Sequence, residues 1–137
     1  MNRRTFIAAA AAIALAGPAF AGGETIDYTP GVVDAALEEG KTVFIDFAAE
    51  WCSTCHRQER VINALRAANP AYDDAMVFVK VDWDKYGQED IAVFHNIPRR
   101  STLIVLKGEA EIGRIVAGTS EADIKALMDK GLAAATS

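Results

Sequence analysis

The chain has 137 residues, 14 lysines and arginines against 19 acids for a net charge of −5, and 51% hydrophobic residues. That length holds one small domain, and the acidic balance excludes roles that need a broad basic face, such as binding nucleic acid or an anionic membrane surface. Only two cysteines are present, so an all-cysteine zinc site or an iron–sulfur cluster, each needing four thiolates, cannot be built from one chain.

Residues 1–21, MNRRTFIAAAAAIALAGPAFA, begin with Arg3 and Arg4, run apolar from about Phe6 to Ala16, break at Gly17-Pro18 and end in Ala19-Phe20-Ala21, an A-x-A cleavage site. The pattern predicts an export signal removed after Ala21, leaving residues 22–137 as a single domain. The apolar run falls short of the roughly 20 residues that span a bilayer. A periplasmic location follows, by the Sec or the twin-arginine route, since two leading arginines suit both. Loss of the segment leaves 116 residues and, with two arginines gone from a charge of −5, a net charge of −7.

The rest of the chain alternates helical and strand patterns. Thr29-Pro30 supplies an N-cap and a first-turn proline for a helix over GVVDAALEE, closed by Gly40. TVFIDFA, residues 42–48, reads as a buried strand. A helix follows from about Cys52 to Ala68 with Val61, Leu65 and Ala68 on one face, stopped by Asn69-Pro70. MVFVKVD at 76–82 reads as a second strand, a short helix lies around Gln88 to Phe94, and TLIVL at 102–106 is a third strand, paired with a fourth at about Glu111 to Val116. Ser120 with Asp123 caps a final helix carrying Ile124, Leu127, Met128 and Leu132. This order predicts an α/β fold, a central mixed sheet with helices on both faces.

The chemistry lies in EWCSTCH, residues 50–56. Cys-x-x-Cys-His is a c-type haem attachment pattern, whereas Trp-Cys-x-x-Cys after an apolar strand is a redox dithiol. A strand ending near Ala48 delivers Cys52 to a helix start, where free N–H groups and the dipole favour its thiolate and can lower its pKa toward roughly 3.5–7.5. Cys55 is one turn further on the same face, close enough for a disulfide. Such a short bridge closes almost no loop and stabilises little, so its value is thiol–disulfide exchange. Asp46 sits among apolar neighbours in VFIDFA; it is either a proton acceptor for Cys55 with a raised pKa, or a structural acid satisfied by a lysine or a backbone donor.

TVFIDFAAEWCSTC resembles the thioredoxin segment in which a strand bearing one Asp runs into Trp-Cys-x-x-Cys, and residues 25–132 resemble the thioredoxin fold in their order of elements. EWCSTCHRQE is also similar to the soluble dithiol domains of bacterial periplasmic disulfide reductases. The resemblance implies an exported thiol–disulfide oxidoreductase working as a reductant, with Cys52, Cys55 and Asp46 catalytic. Trp51, Lys80 as the lysine beside the buried aspartate, and Ser101 are implied as supporting residues. It implies no cofactor beyond the redox-active disulfide. The implied partners are protein thiols and disulfides and a membrane electron donor or acceptor, with the protein itself a monomer.

One departure concerns Ser101. It stands where thioredoxins carry a cis-proline directly before the Thr that opens the third strand, while Pro98 falls three residues early. A non-proline cis bond costs about 2.5–4 kcal/mol, so the loop is expected either trans and reshaped, or cis and strained. Ser101→Pro is expected to weaken Cu(I) binding while preserving exchange. The alternative function is copper handling by Cys52, Cys55 and His56. A third reading attaches haem, with His56 proximal and Met76, Met128 or His95 distal.

Overall fold

The structure is a computed structural model that describes residues 24–137, so the expected export signal lies outside the described residues. In chain order the elements are β1 (Thr25–Asp27), α1 (Val32–Glu38), β2 (Thr42–Ala48), α2 (Ser53–Ala68), α3 (Ala71–Ala75), β3 (Met76–Asp82), α4 (Trp83–Tyr86), α5 (Asp90–Val93), β4 (Thr102–Lys107), β5 (Ala110–Val116) and α6 (Glu121–Ala135). The five strands form one mixed sheet in the order β1-β3-β2-β4-β5. β1 and β2 run parallel to β3, and β4 is antiparallel to both β2 and β5.

The central strands are apolar on both faces because both faces are covered. Val43, Ile45 and Phe47 of β2 point to one side and pack with Val33 and Ala36 of α1 and Ile91 and Ala92 of α5. Phe44 points to the other side, with Ile62 and Leu65 of α2, Tyr72 of α3, and Ile124, Leu127 and Met128 of α6. The period of two along a strand therefore puts Asp46 on the side of Phe44, beneath α2.

The predicted strands at 42–48 and 76–82 stand where expected. The helix starts differ. α1 is capped by Gly31 at φ 94° with no side-chain cap, so Thr29 is not its N-cap; the left-handed turn at Gly31 sets the helix direction, a conformation that costs glycine nothing sterically. In α2 the buried residues are Cys55, Gln58, Ile62, Leu65 and Arg66, whereas Val61 is half-buried and Ala68 exposed. Arg66 can be buried because its guanidinium bonds Asp73 at 2.6 Å, Thr25 Oγ1 at 2.7 Å and the Glu24 carbonyl at 3.2 Å, and lies 4.0 Å above the Phe78 ring. α2 ends at Asn69, held extended by Pro70. α6 starts as predicted, with Ser120 Oγ accepting from the Asp123 N–H at 3.3 Å. No helix among the described residues is long and apolar enough to cross a membrane.

Candidate active site

β2 leaves the sheet at Ala48, and residues 49–51 turn the chain so that Cys52 becomes the N-cap of α2 in extended conformation. Its sulfur accepts from the Cys55 N–H at 3.1 Å, one of the donors that a helix start leaves without a partner. Cys52 and Cys55 are joined in a disulfide with Cα atoms 5.2 Å apart. Both are buried, together with Ala48 and Ala49, and Trp83 packs against them. Burial does not separate the two sulfurs. Position does, because only Cys52 sits at the cap.

Trp51 is 61% exposed beside the disulfide. Its indole N–H donates to both carboxylate oxygens of Asp84, at 3.1 and 2.8 Å, and the Arg100 guanidinium lies 4.3 Å from its ring. The indole is thus held from both sides, by Asp84 at its N–H and by Arg100 against its ring.

Asp46 is 8% exposed, and its Oδ1 makes no hydrogen bond. Burial raises its pKa to about 7; the positive charge of Lys80 opposes that rise and Glu59 adds to it. Lys80 stands opposite Asp46 in the β2–β3 register, as the resemblance implied, but its ammonium pairs with Glu59 at 3.3 Å. The structural-acid alternative, in which a lysine satisfies the carboxyl directly, is not what is seen. A narrow cleft of about 30 Å³ has Asp46, Glu59, Asn63 and Lys80 among its lining residues and is large enough to hold a water.

Ser101 departs furthest from expectation. No peptide bond among the described residues is cis, and Ser101 instead adopts φ 64°. Its N–H donates to the Phe47 carbonyl at 2.7 Å, and its own carbonyl accepts from the Ala117 N–H at 2.8 Å. Its hydroxyl then lies 3.2 Å from Cys52 Sγ and 3.1 Å from Cys55 Sγ. A proline needs φ near −65° and has no N–H, so it cannot take this conformation. Ser101→Pro therefore requires a different backbone in this loop from the one described.

His56 has its Nε2 on the Glu50 carbonyl, a bond it would have to give up to join the two cysteines as a copper ligand, and no group of three His, Cys, Asp or Glu side chains among the described residues is placed to hold a metal ion. The haem ligand set is not assembled either. Met76 of β3 and Met128 of α6 are buried in the core, and His95 stacks edge-on with Phe94. Sequence reasoning missed Gln58, Glu59, Asp84 and Arg100. Gln58 had a readable signal, since it follows Cys55 by three and precedes Ile62 by four on the helix face that enters the core.

The chain matches the family model described as Thioredoxin-like over residues 25–103. It is 33% identical over 96 residues to a thioredoxin of Echinococcus granulosus, covering 70% of this chain and 83% of the relative. It is 31% identical over 97 residues to Thioredoxin-1 of Saccharomyces cerevisiae, covering 71% and 87%. Among solved structures, Trxlp from Edwardsiella tarda superposes with a TM-score of 0.66 at 30% identity, covering 76% of this chain and 98% of that one. A Malassezia sympodialis thioredoxin superposes at 0.68 with 26% identity, covering 81% and 92%. Together with the disulfide at the start of α2, these matches establish that the chain belongs to the thioredoxin-like family and is a thiol–disulfide oxidoreductase acting on protein thiols and disulfides.

Proposed function

We propose that the protein works outside the cytoplasm as an exported reductant of protein disulfides, with Cys52 as the attacking thiolate, Cys55 as the resolving thiol and Asp46 as the proton acceptor for Cys55. The single observation that carries the chemistry is the position of Cys52. Its sulfur caps α2 and accepts a backbone N–H at 3.1 Å, so charge on that sulfur is stabilised in the reduced protein.

The reaction runs in two displacements. The Cys52 thiolate attacks one sulfur of a partner disulfide, forming a mixed disulfide and expelling the partner's other sulfur as a thiolate. Cys55 then loses its proton to Asp46 through water and attacks Cys52. The Cys52–Cys55 bond forms, the mixed bond breaks, and the second partner sulfur leaves with the electron pair. The partner disulfide is reduced by two electrons and the dithiol is oxidised by two. Asp46 suits the proton step because a group with a pKa of about 7 both takes and releases a proton near neutrality.

The exported location rests on the Arg3-Arg4 start, the apolar run and Ala19-Phe20-Ala21. An oxidising compartment requires an electron donor to keep the pair reduced, which fits a membrane-borne dithiol partner. The test is to express the full chain in a Gram-negative host, sequence the N-terminus of the periplasmic form, and assay insulin-disulfide reduction with dithiothreitol as donor. A mature start at Gly22 with turnover that Cys52→Ser abolishes is expected. Retention of Met1 in the cytoplasm would overturn the location, and equal turnover by the variant would overturn the chemistry. Tight Cu(I) binding to the reduced protein without insulin reduction would instead favour copper handling by the same thiols.

A further inference from the structure

We propose that Gln58 is a positioning residue that holds the Ser101 hydroxyl over the dithiol, and that this hydroxyl tunes the redox equilibrium by donating to the Cys52 thiolate when the disulfide opens. The inference rests on the exchange reading above and adds a determinant that the cysteine pair alone does not contain.

Three observations converge on Ser101. First, a non-glycine residue at φ 64° is held against a steric cost, and such a conformation persists only where the surroundings over-determine it. Second, those surroundings are present: the N–H is tied to Phe47 and the carbonyl to the Ala117 N–H. Third, the side-chain amide of Gln58, 0% exposed, donates to the Ser101 carbonyl and to the Gly118 carbonyl, each at 2.9 Å. The second of these bonds reaches the chain just past Ala117, itself at φ 64°, so one amide locks both left-handed residues to α2.

Gln58 is not there for stability alone. Its Oε1 is buried without a hydrogen bond, a cost that offsets part of what the two donated bonds contribute. An apolar side chain of equal length would avoid that cost but would leave the Ser101 and Gly118 carbonyls without this donor. What the amide supplies is geometry, the carbonyl of Ser101 fixed and its hydroxyl left 3.2 and 3.1 Å from the two sulfurs.

A disulfide has no S–H, so in the oxidised protein the hydroxyl is the donor, its single O–H shared between the two sulfurs. On reduction by two glutathione thiols, glutathione disulfide forms, the Cys52–Cys55 bond accepts the electron pair, Cys55 keeps one proton and the other goes to solvent. Cys52 is then a thiolate receiving two donors, the Cys55 N–H and the Ser101 O–H. A bond to the charged product is stronger than one to the neutral disulfide, so the hydroxyl favours the reduced form.

The test equilibrates the full chain with glutathione buffers and titrates the reduced protein by its ultraviolet thiolate absorbance. Ser101→Ala should shift the equilibrium toward the disulfide by about tenfold, which is 29.6 mV for a two-electron couple, and Cys52 should titrate at higher pH. Ser101→Gly, which tolerates the left-handed backbone, should reproduce that shift even if the alanine variant folds poorly. Gln58→Met should move both readouts in the same direction, and in the Ser101→Gly background it should add nothing. A purely structural role for Gln58 would lower thermal stability without this non-additivity. No shift in Ser101→Gly, or a Gln58→Met shift that persists without the hydroxyl, would overturn the proposal. The thiolate titration needs no exchange partner, so a wild type inert toward glutathione would fail the exchange reading while the titration still decides the role of the hydroxyl.

Discussion

Asp46 and Lys80 stand opposite each other on adjacent parallel strands, yet Lys80 gives its ammonium to Glu59 and leaves Asp46 Oδ1 without a hydrogen bond. The carboxyl is therefore a buried acid with a cation near enough to moderate its charge but not bonded to neutralise it. Its pKa of about 7 follows from burial first and from these two charges second.

That value makes stability depend on pH in a fixed direction. Because the folded pKa lies above that of the unfolded chain, about 3.9, the folded state holds the extra proton between the two values. The stabilising contribution is complete below about pH 4 and is lost as pH rises through about 7. Asp46→Asn removes the ionisable group, so its advantage over wild type should grow from pH 4 to pH 8 and reach about 2–4 kcal/mol. Urea unfolding at several pH values measures this. An advantage that does not vary with pH would mean that Asp46 is not the titrating group.

The neighbours of Asp46 should move the proton step in opposite directions. Lys80→Met removes the charge that lowers the Asp46 pKa, and Glu59→Gln removes one that raises it. The pH midpoint for release of a mixed disulfide should rise by about half a unit to one unit in the first variant and fall by a similar amount in the second. Stopped-flow resolution of a preformed mixed disulfide across pH 5–9 would show it. Equal midpoints in both variants would detach Asp46 from the step.

Cys52 should be the sulfur that reacts first. Limiting iodoacetamide on the reduced protein near neutral pH should label Cys52 well ahead of Cys55, by about tenfold or more, as read by peptide mass spectrometry. Cys55→Ser should accumulate a mixed disulfide with an insulin chain, whereas Cys52→Ser should not. Preferential labelling of Cys55 would reverse the assignment.

Ser101→Pro is now expected to disrupt the loop. The ring cannot take φ 64° and removes the N–H bonded to Phe47, so the variant should lose about 3 kcal/mol or more and melt roughly 10 °C or more below wild type. Ser101→Gly should stay within about 1 kcal/mol of wild type, relief of the left-handed cost being offset by the greater freedom of glycine when unfolded. Thermal unfolding of the two variants distinguishes them. A proline variant as stable as wild type would mean that the loop has a second backbone arrangement.

The strands were legible in the sequence because they are nearly continuous apolar runs bounded by charge, and TVFIDFA and MVFVKVD carry that signal without help from distant residues. Cys52, Cys55 and Asp46 were legible for a related reason, since a dithiol after a strand and a lone acid within one are local anomalies. The short elements β1, α3 and α4 were not read. β1 has only three residues and is a strand through pairing with β3, and α3 is docked by Tyr72, whose hydroxyl donates to Asp129 of α6. The buried stripe of α2 was misplaced because two of its members, Gln58 and Arg66, are polar and conceal themselves from any count of apolar positions. What only the tertiary structure decided is the environment of the sulfurs. Local sequence places Cys52 at a helix start, but the hydroxyl above it arrives from 49 residues away. The backbone that aims that hydroxyl is held by Phe47, Gln58 and Ala117, residues from three separate parts of the chain. A left-handed serine is selected by the sum of those distant bonds against its own local preference, and no pattern within the loop RRST records that sum.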